Sequence, residues 1–221
     1  MTILIEAAVE SLDDALAAID GGADRLELCA DLDAGGTTPT RAVQAAVLAR
    51  VSVPTVVMIR PRPGDFVYSR IERSRMASDI TAAIDAGAAG VVLGALRADR
   101  HIDEEATRAL VAVAHGLPVT FHRAIDDTPD PIAAIDTMLS LGAKRVLSSG
   151  AAATALEGAV VLAAMVARAG DTLRVVAGGG VRAPNVAAVV QRSHVREVHA
   201  RCAGDASRIR GIRQALGVRD A

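Results

Sequence analysis

Short apolar runs recur along the chain, and each is followed by an alanine-rich stretch whose apolar residues lie three and four positions apart. Runs of the first kind are typical of buried strands, and spacing of the second kind is typical of amphipathic helices. Successive runs begin about 25 to 30 residues apart, which is the length of one strand–helix unit. The predicted strands are Ile3–Ala7, Arg25–Cys29, Thr55–Arg60, Gly90–Gly94, Val119–His122, Arg145–Ser148, Arg174–Ala177 and Glu197–Ala200.

Helix-capping residues support this alternation. Ser11 and Thr128 precede two alanine-rich stretches and are predicted N-caps, while Gly22 and Gly142 follow two others, where glycine commonly ends a helix. Eight strand–helix units without a linker predict a single-domain (β/α)8 TIM barrel over residues 1–221. The alternative is an open doubly wound sheet, but its usual Gly-x-Gly-x-x-Gly motif is missing after the first strand.

The composition limits the kinds of partner that we expect. The 24 Lys and Arg residues nearly balance the 26 Asp and Glu residues, so bulk charge does not favour nucleic acid or an anionic membrane. Two cysteines suggest no disulfide framework, and the first residues lack the basic start of a signal peptide. No apolar run is long enough to span a bilayer. We therefore expect a cytoplasmic protein.

Polar side chains stand at the carboxyl ends of the predicted strands, where barrel enzymes place their chemistry. Alternation along the strands turns Glu27 inward, and Arg60, His122 and His199 end three other strands. With Glu6 of the first strand, these residues are predicted to converge at one mouth. The predicted catalytic set is Glu6, Glu27, Arg60 and His122, with a carboxylate as general base and His122 as acid or electrophile.

A structural interpretation of the same residues is also open. Arg60 could form an internal salt bridge with Glu27 or Glu6, and His122 could be a buried core residue with satisfied hydrogen bonds. Several charges at one mouth favour a site instead, because buried charges are costly unless they pair or bind a ligand. Gly94, which ends the fourth strand, is expected to leave open volume beside them.

Two loops are predicted to contribute to substrate binding. The segment 60–69 contains two prolines and two aromatic residues, and its Arg62 and Asp65 give it charge, so it is a candidate lid. The glycine run after the seventh strand leaves backbone amides free to bind an anion or phosphate group. The predicted substrate-binding residues are Arg62, Asp65, Arg123, Ser148, Gly178, Gly179, Gly180 and His199.

The stretch VTFHRAIDD, residues 119–127, places a histidine and an arginine where a buried strand stops. Strand alternation pairs His122 with Thr120, so His122 is predicted to point into the barrel and to hydrogen bond with Glu27. Arg123 is predicted to turn away from the barrel axis and to pair with Asp126 or Asp127.

Several segments resemble, in order along the chain, those of the CutC copper-homeostasis family. They are ADRLELC (23–29), GGTTP (35–39), IRPRPGDFVYS (59–69), VTFHRAID (119–126), RVLSSG (145–150), AGGGVRAPN (177–185) and EVHAR (197–201). The resemblance covers essentially the whole chain. It implies a (β/α)8 barrel, an intracellular role in copper handling, copper binding, and assembly into a homo-oligomer.

The resemblance also bears on metal ligands. Many members of that family have a cysteine two residues after the strand-one glutamate, where this chain has Ala8. Copper(I) prefers soft ligands, so the candidate metal ligands are Cys29, His122, His199 and Cys202. Two functions stay open: a copper-binding homeostasis protein, and an enzyme of the proton-transfer, isomerase or lyase type that acts on a small anionic or phosphorylated substrate.

Overall fold

The computed structural model describes residues 3–217, which form a closed barrel of eight parallel strands with eight helices. This confirms the predicted fold class. Residues 1–2 and 218–221 of the predicted domain lie outside the described residues. The strands are β1 (Leu4–Val9), β2 (Arg25–Leu28), β3 (Thr55–Met58), β4 (Gly90–Leu93), β5 (Val119–Phe121), β6 (Arg145–Ser148), β7 (Arg174–Ala177) and β8 (Glu197–Arg201).

One α-helix follows each strand. These are α1 (Leu12–Asp20), α2 (Arg41–Leu48), α3 (Arg70–Asp85), α4 (Glu104–Val113), α5 (Ala134–Ser140), α6 (Ala159–Ala169), α7 (Ala183–Ser193) and α8 (Ala206–Ala215). Short 3-10 helices, Leu32–Ala34 and Arg123–Asp127, follow β2 and β5. Within residues 3–217, none of the helices has the length and apolar content that a membrane span requires.

Alternate side chains of each strand face the helices and the barrel interior. Large outward residues such as Leu26 and Phe121 are fully buried between the strands and the helices. On the inward side, an apolar cluster formed by Cys29, Val56, Met58 and Val92 fills one part of the barrel. The strands on the other side of the interior supply charged residues instead.

The strand register determines where those charges meet. Because β1 pairs with both β2 and β8, Glu6 lies opposite Arg25 on one neighbour and opposite His199 on the other. Directly paired residues of parallel strands project to the same face of the sheet. The closure of the barrel therefore brings together side chains that are more than 190 positions apart in the sequence.

The predicted helix caps give one confirmation and one correction. The Ser11 hydroxyl accepts a hydrogen bond from the Asp14 amide at 3.1 Å, so Ser11 caps α1 as predicted. The prediction for Thr128 is wrong, because its hydroxyl donates to the Ile125 carbonyl at 2.7 Å. Asp130 takes the capping role and accepts from two amides at 3.0 Å. Thr128 therefore stabilises the end of the 3-10 helix after β5 and does not cap the helix that follows.

Helix α3 offers a matched test of the outer core. Ile80 is fully buried and Ile71, on the same helix, is 82% exposed. We expect Ile80→Ala to lower the free energy of unfolding by about 2–5 kcal/mol, because it leaves a cavity. Ile71→Ala should change it by less than about 0.5 kcal/mol. Urea unfolding measures both values, and equal losses would contradict this assignment of the helix faces.

Candidate active site

A buried ion pair lies at the centre of the barrel interior. Arg25 Nε donates to Glu6 Oε2 at 2.5 Å, and His199 Nδ1 lies 2.9 Å from Glu6 Oε1. Glu6 is 2% exposed and Arg25 is 3% exposed, so the pair is shielded from water. The two oxygens of one carboxylate are thus shared between a guanidinium and an imidazole.

The same arginine extends the network toward the starts of the strands. Arg25 Nη2 donates to Glu197 Oε2 at 2.6 Å, and Arg145 Nε lies 3.4 Å from that oxygen. Glu197 begins β8 and Arg145 begins β6, so this part of the network lies below the mouth. Its two cations balance the charges of Glu6 and Glu197.

Glu27 is the carboxylate of this cluster with the weakest polar contacts. Its Oε2 lies 3.3 Å from His199 Nδ1, and its buried Oε1 has no hydrogen-bond partner among the described residues. Burial disfavours the ionised form and the nearby Glu6 charge adds to this, so the pKa of Glu27 rises to about 7 although His199 opposes the shift. Glu27 therefore changes its protonation state near neutral pH.

In the other two members of this cluster, the pKa shift favours the charged form. Burial alone would raise the pKa of Glu6, but the His199 hydrogen bond and the Arg25 charge outweigh it and lower the pKa to about 2. Burial would lower the pKa of His199, but the charges of Glu27 and Glu6 raise it. The cluster thus combines an ionised carboxylate, a basic imidazole and a carboxyl group that titrates.

His122 faces this cluster from the opposite wall, since β5 lies across the closed barrel from β1. Its Nδ1 accepts a hydrogen bond from the Ala124 amide at 3.2 Å. The Phe66 ring lies 4.9 Å from the imidazole ring, centroid to centroid. Burial, together with the Arg60 charge, lowers the pKa of His122 to about 3, so the ring is neutral.

Arg60 ties two loops together at the mouth. Its guanidinium donates to the carbonyl oxygens of Ala34, Gly36 and Gly64 at 2.9–3.1 Å. The guanidinium carbon also lies 4.9 Å from the centre of the Phe66 ring. Its buried Nε has no hydrogen-bond partner among residues 3–217. Arg60 therefore positions the loops and keeps one buried donor available.

Asp126 gathers the polar donors that follow β6. Its carboxylate accepts from the hydroxyls of Ser148 and Ser149 at 2.5 and 3.0 Å, and from the amide of Ala151 at 3.1 Å. Arg123 Nε donates to it at 2.9 Å, which is one of the two pairings predicted for Arg123. The Asp126 carboxylate thus satisfies these donors within the protein.

The glycine run after β7 lies beside that arginine. A β-carbon added at Gly179 would lie 3.6 Å from Arg123 Nη1 and 3.0 Å from Ser149 Cβ. Gly179 and Gly180 have φ values of 102° and 69°, which favour glycine. The Gly178 amide donates to the Ser148 carbonyl, but those of Gly179 and Gly180 have no acceptor within the described part of the chain.

One group of side chains could hold a metal ion. Among the described residues, the donor atoms of Glu6, Glu27 and His199 all lie within 4.8 Å of one another. Two carboxylates and an imidazole suit a borderline divalent ion better than copper(I), which prefers sulfur. The two cysteines do not join this group. Cys202 packs in the outer core, whereas Cys29 belongs to the apolar cluster inside the barrel.

The family model for CutC matches residues 3–204. The chain belongs to the CutC family.

Similar proteins extend across most of the chain. A family protein CutC of Xanthomonas campestris is 46% identical over 200 residues, which are 90% of this chain and 83% of that protein. The human copper homeostasis protein cutC homolog is 44% identical over 95% of this chain and 76% of its own length. A crystal structure of CutC from Streptococcus agalactiae has 35% identity and a TM-score of 0.85, covering 90% of this chain and 98% of that one.

A more distant solved structure shows the fold alone. Phosphoribosylanthranilate isomerase from Thermotoga maritima has 14% identity and a TM-score of 0.65 over 98% of this chain and all of that one. At this identity the match indicates a shared barrel architecture and nothing about the reaction of this CutC family member.

The structure brings together only part of the residue set predicted from the sequence. Glu6, Glu27 and His199 form one cluster. The predicted hydrogen bond between His122 and Glu27 is absent. The His122 Nε2 and Glu27 Oε1 atoms have no partner among the described residues. The His122 ring also occupies the volume expected to be open at Gly94, since a β-carbon there would lie 2.5 Å from Cε1.

Other predicted substrate-binding residues lie outside this cluster. Ser148 is fully buried, and its Oγ lies 3.6 Å from Met165 Sδ of α6, so it faces the helix layer. Arg62 pairs with Asp65 of its own loop at 2.9 Å and with Glu72 in the first turn of α3 at 2.5 Å. Asp65 is therefore committed to an internal ion pair as well.

Sequence reasoning omitted three residues from the predicted site. Arg25 shares the inward face of Glu27, so strand alternation already placed it inside the barrel; only the register shows that it pairs with Glu6. Phe66 is one of the aromatic residues of the predicted lid, segment 60–69, but its contact with His122 depends on how the loop folds back. Asp126 is predicted only as a possible partner of Arg123, and its bonds to Ser148 and Ser149 depend on the position of the loop after β6.

Two cavities differ in their relation to this cluster. One of about 600 Å³ lies at the amino-terminal end of the barrel, with Ile3, Arg174 and Arg196 in its lining. Another of about 440 Å³ lies beside Phe66 at the carboxyl end, between the loops after β3 and β4. Only the second adjoins residues that contact His122, so it is the candidate entrance to the mouth.

Arg25 should be essential for stability. Arg25→Met leaves Glu6 and Glu197 buried without their shared cation, and we expect the free energy of unfolding to fall by about 3–5 kcal/mol. Arg210→Met is the matched control, because Arg210 pairs with the exposed Asp20, and its loss should cost less than about 1 kcal/mol. Similar losses for both variants in urea unfolding would contradict the assigned role of the buried pair.

Proposed function

We propose that the barrel mouth is the active site of an enzyme that transfers protons to and from a small anionic substrate. The observation that carries the proposal is Glu27, a buried carboxylate with one oxygen near His199 and the other without a partner. An unsatisfied buried oxygen costs stability, and a substrate that donates to it or gives it a proton recovers that cost. Glu27 is the general base in this proposal.

The neighbours of Glu27 fit this role. Glu6 stays ionised beside Arg25, so its charge helps to keep the pKa of Glu27 near 7, where a general base works best. His199 bridges the two carboxylates and can return a proton to Glu27 or to product. His122 and Arg60 supply buried donors on the facing wall.

The negative charge of the substrate would lie at the rim, beside Arg123. Arg123 donates through Nε to Asp126 and through Nη2 to Ser149, while Nη1 lies near the Gly179 turn. The Gly179 and Gly180 amides have no acceptor among the described residues and are therefore candidate donors to the same anion subsite. Arg62 and Asp65 then act through the loop that they stabilise.

Solvent-deuterium exchange tests the proposed base. In D2O, the protein should catalyse deuterium incorporation into at least one compound from a panel of small anionic and phosphorylated metabolites, followed by mass spectrometry. Glu27→Gln should lower that rate by about 10²–10⁴-fold, because the amide cannot accept the proton. Glu157→Gln, at an exposed position, is the matched control and should leave the rate unchanged. Exchange that survives in Glu27→Gln would refute the role of this carboxylate.

The pH dependence gives an independent readout. A base is active when ionised, so kcat/KM should rise as the pH increases through about 7, the pKa of Glu27, and then level off. A rate that falls over the same interval would show that the protonated form of the site is the active one.

Copper(I) binding is a second candidate function, and one observation favours it. A β-carbon added at Gly36 would lie 3.4 Å from Cys29 Sγ and 3.5 Å from Met58 Cε, so a thiol and a thioether flank the same point inside the barrel. These are soft donors of the kind that copper(I) prefers. The human relative is named as a copper homeostasis protein, which supports this candidate.

The two cysteines allow a matched comparison for copper. Cys29→Ser should lower copper(I) affinity by about tenfold or more, and Cys202→Ser should not, because Cys202 packs on the helix side of the strands. Burial and nearby carboxylates raise the pKa of the Cys29 thiol, so binding must displace its proton and should strengthen as the pH rises. Anaerobic titration against a chromophoric chelator measures this. Equal binding by the double variant would exclude a cysteine site.

The cysteines and the exposed apolar residues bear on cellular location and assembly. Both cysteines are buried and unpaired, which fits a reducing compartment, and we infer a cytoplasmic location. We also propose a homo-oligomer. Val160 of α6, which is 79% exposed, is one apolar position that such an assembly would cover.

A further inference from the structure

The hydrogen bond at Nδ1 determines where His122 carries its proton. The Ala124 amide lies 3.2 Å from Nδ1, and an amide N–H can only donate. Nδ1 must therefore present a lone pair. Because the ring is neutral, its single proton is on Nε2. His122 is thus an Nε2–H hydrogen-bond donor toward any ligand.

The surroundings of the ring hold it in place. Phe66 and Phe121 lie 4.9 and 5.9 Å from its centre, and Gly94 is so close that any side chain there would collide with the ring. His122 is 3% exposed. The carboxylates at the mouth are not bonded to it, so no anion stabilises an imidazolium form.

His122 Nε2 is a buried polar atom without a partner among the described residues, as is Arg60 Nε. An unpaired buried donor is costly, and each of these two can donate to an acceptor oxygen of a ligand. Both side chains contact the Phe66 ring, so both donors border the region that the β3–α3 loop covers. Movement of Phe66 toward the adjoining cavity would open that region to a ligand.

We propose that the substrate carries a carbonyl group whose oxygen accepts a hydrogen bond from His122 Nε2–H, with Arg60 as the second donor. This inference rests on the proposed acid–base function of Glu27. The carbonyl oxygen lies at the β5 wall and the carbon next to it faces Glu27, so the substrate is an anionic aldehyde or ketone that enolises.

Enolisation of such a substrate needs only the residues already described. Glu27 takes a proton from the carbon next to the carbonyl, and the electron pair of the broken C–H bond forms a carbon–carbon double bond. The π electrons of the carbonyl move to its oxygen, which becomes an enolate. Neutral His122 stabilises this oxygen by donation and keeps its own proton. Glu27 then returns the proton to the same carbon, the double-bond electrons form the new C–H bond, and the carbonyl group re-forms.

A planar enolate mimic tests the proposal directly. Phosphoglycolohydroxamate carries a phosphate group and an acceptor oxygen in the plane of an enolate, whereas glycerol 3-phosphate has the phosphate and no carbonyl. Calorimetry should show that His122→Phe, which keeps a flat ring and removes the donor, weakens hydroxamate binding by about tenfold or more. Glycerol 3-phosphate affinity should change by less than about twofold, because its carbon chain makes no bond to Nε2. Equal losses for both ligands, or none, would overturn the proposal.

Two further variants control this measurement. His122→Gln can place an amide donor near the position of Nε2 and should recover part of the hydroxamate affinity. His101→Phe makes the same substitution at a histidine whose side chain is 60% exposed, and it should bind both compounds like the unaltered protein. Failure of His122→Gln to bind more tightly than His122→Phe would show that packing, and not donation, is responsible.

Nitrogen NMR of the unaltered protein gives a test that needs no folded variant. With ¹⁵N-labelled histidine, His122 should show the neutral Nε2–H tautomer throughout pH 5.5–8.5, and hydroxamate should shift this signal. A proton on Nδ1, or titration within that range, would overturn the inference.

The exchange and binding measurements together distinguish failure of the carbonyl substrate class from failure of the acid–base function. Exchange that depends on Glu27 but occurs only in compounds without a carbonyl would reject the substrate class and leave the acid–base function standing. The absence of any exchange, with hydroxamate binding that still depends on His122, would reject the function of Glu27 instead.

Discussion

The ion pair between Arg25 and Glu6 determines the electrostatics of the whole mouth. Buried charges are stable only when they are paired, and Arg25 supplies a cation to both Glu6 and Glu197. Glu6 can therefore remain ionised and accept a hydrogen bond from His199 Nδ1. Glu27 has only the more distant contact with His199. Because Glu6 has closer cationic partners than Glu27, the pKa of Glu6 is lowered and the pKa of Glu27 is raised.

The interior is divided into walls of different character. Strands β1, β2 and β8 supply the charged cluster, while β5 supplies a neutral imidazole whose tautomer is set by the backbone that follows it. A charged base and a neutral donor on opposite walls are a combination suited to moving a proton next to a polarised bond. The 3-10 helix after β5 contributes to both parts of this arrangement, since its Ala124 amide donates to His122 Nδ1 and its Asp126 binds the donors of the loop after β6.

Membership of the CutC family and the chemistry of the mouth suggest different ligands. The converging donors in the described part of the chain are two carboxylates and an imidazole, which are not the ligands that copper(I) prefers. The soft donors, Cys29 and Met58, lie in the apolar cluster beside them. The two proposed functions therefore use neighbouring but chemically distinct parts of one interior, and variants at Glu27 and Cys29 can separate them.

The sequence alone was sufficient for the fold, because strand and helix periodicities are local properties and eight repeats leave little choice of architecture. It also placed Glu6, Glu27 and His199 at one mouth, since strand alternation and the strand ends determine which side chains face inward. Partners across the barrel were decided only by the tertiary structure. The arginine paired with Glu6 proved to be Arg25 and not Arg60, because the β1–β2 register aligns the former with Glu6. Likewise, His122 bonds to the Ala124 amide and not to Glu27, because the chain turns into a 3-10 helix immediately after β5 and brings a backbone donor within reach of the ring. Such contacts depend on register and loop geometry between distant segments, and a one-dimensional pattern does not contain them.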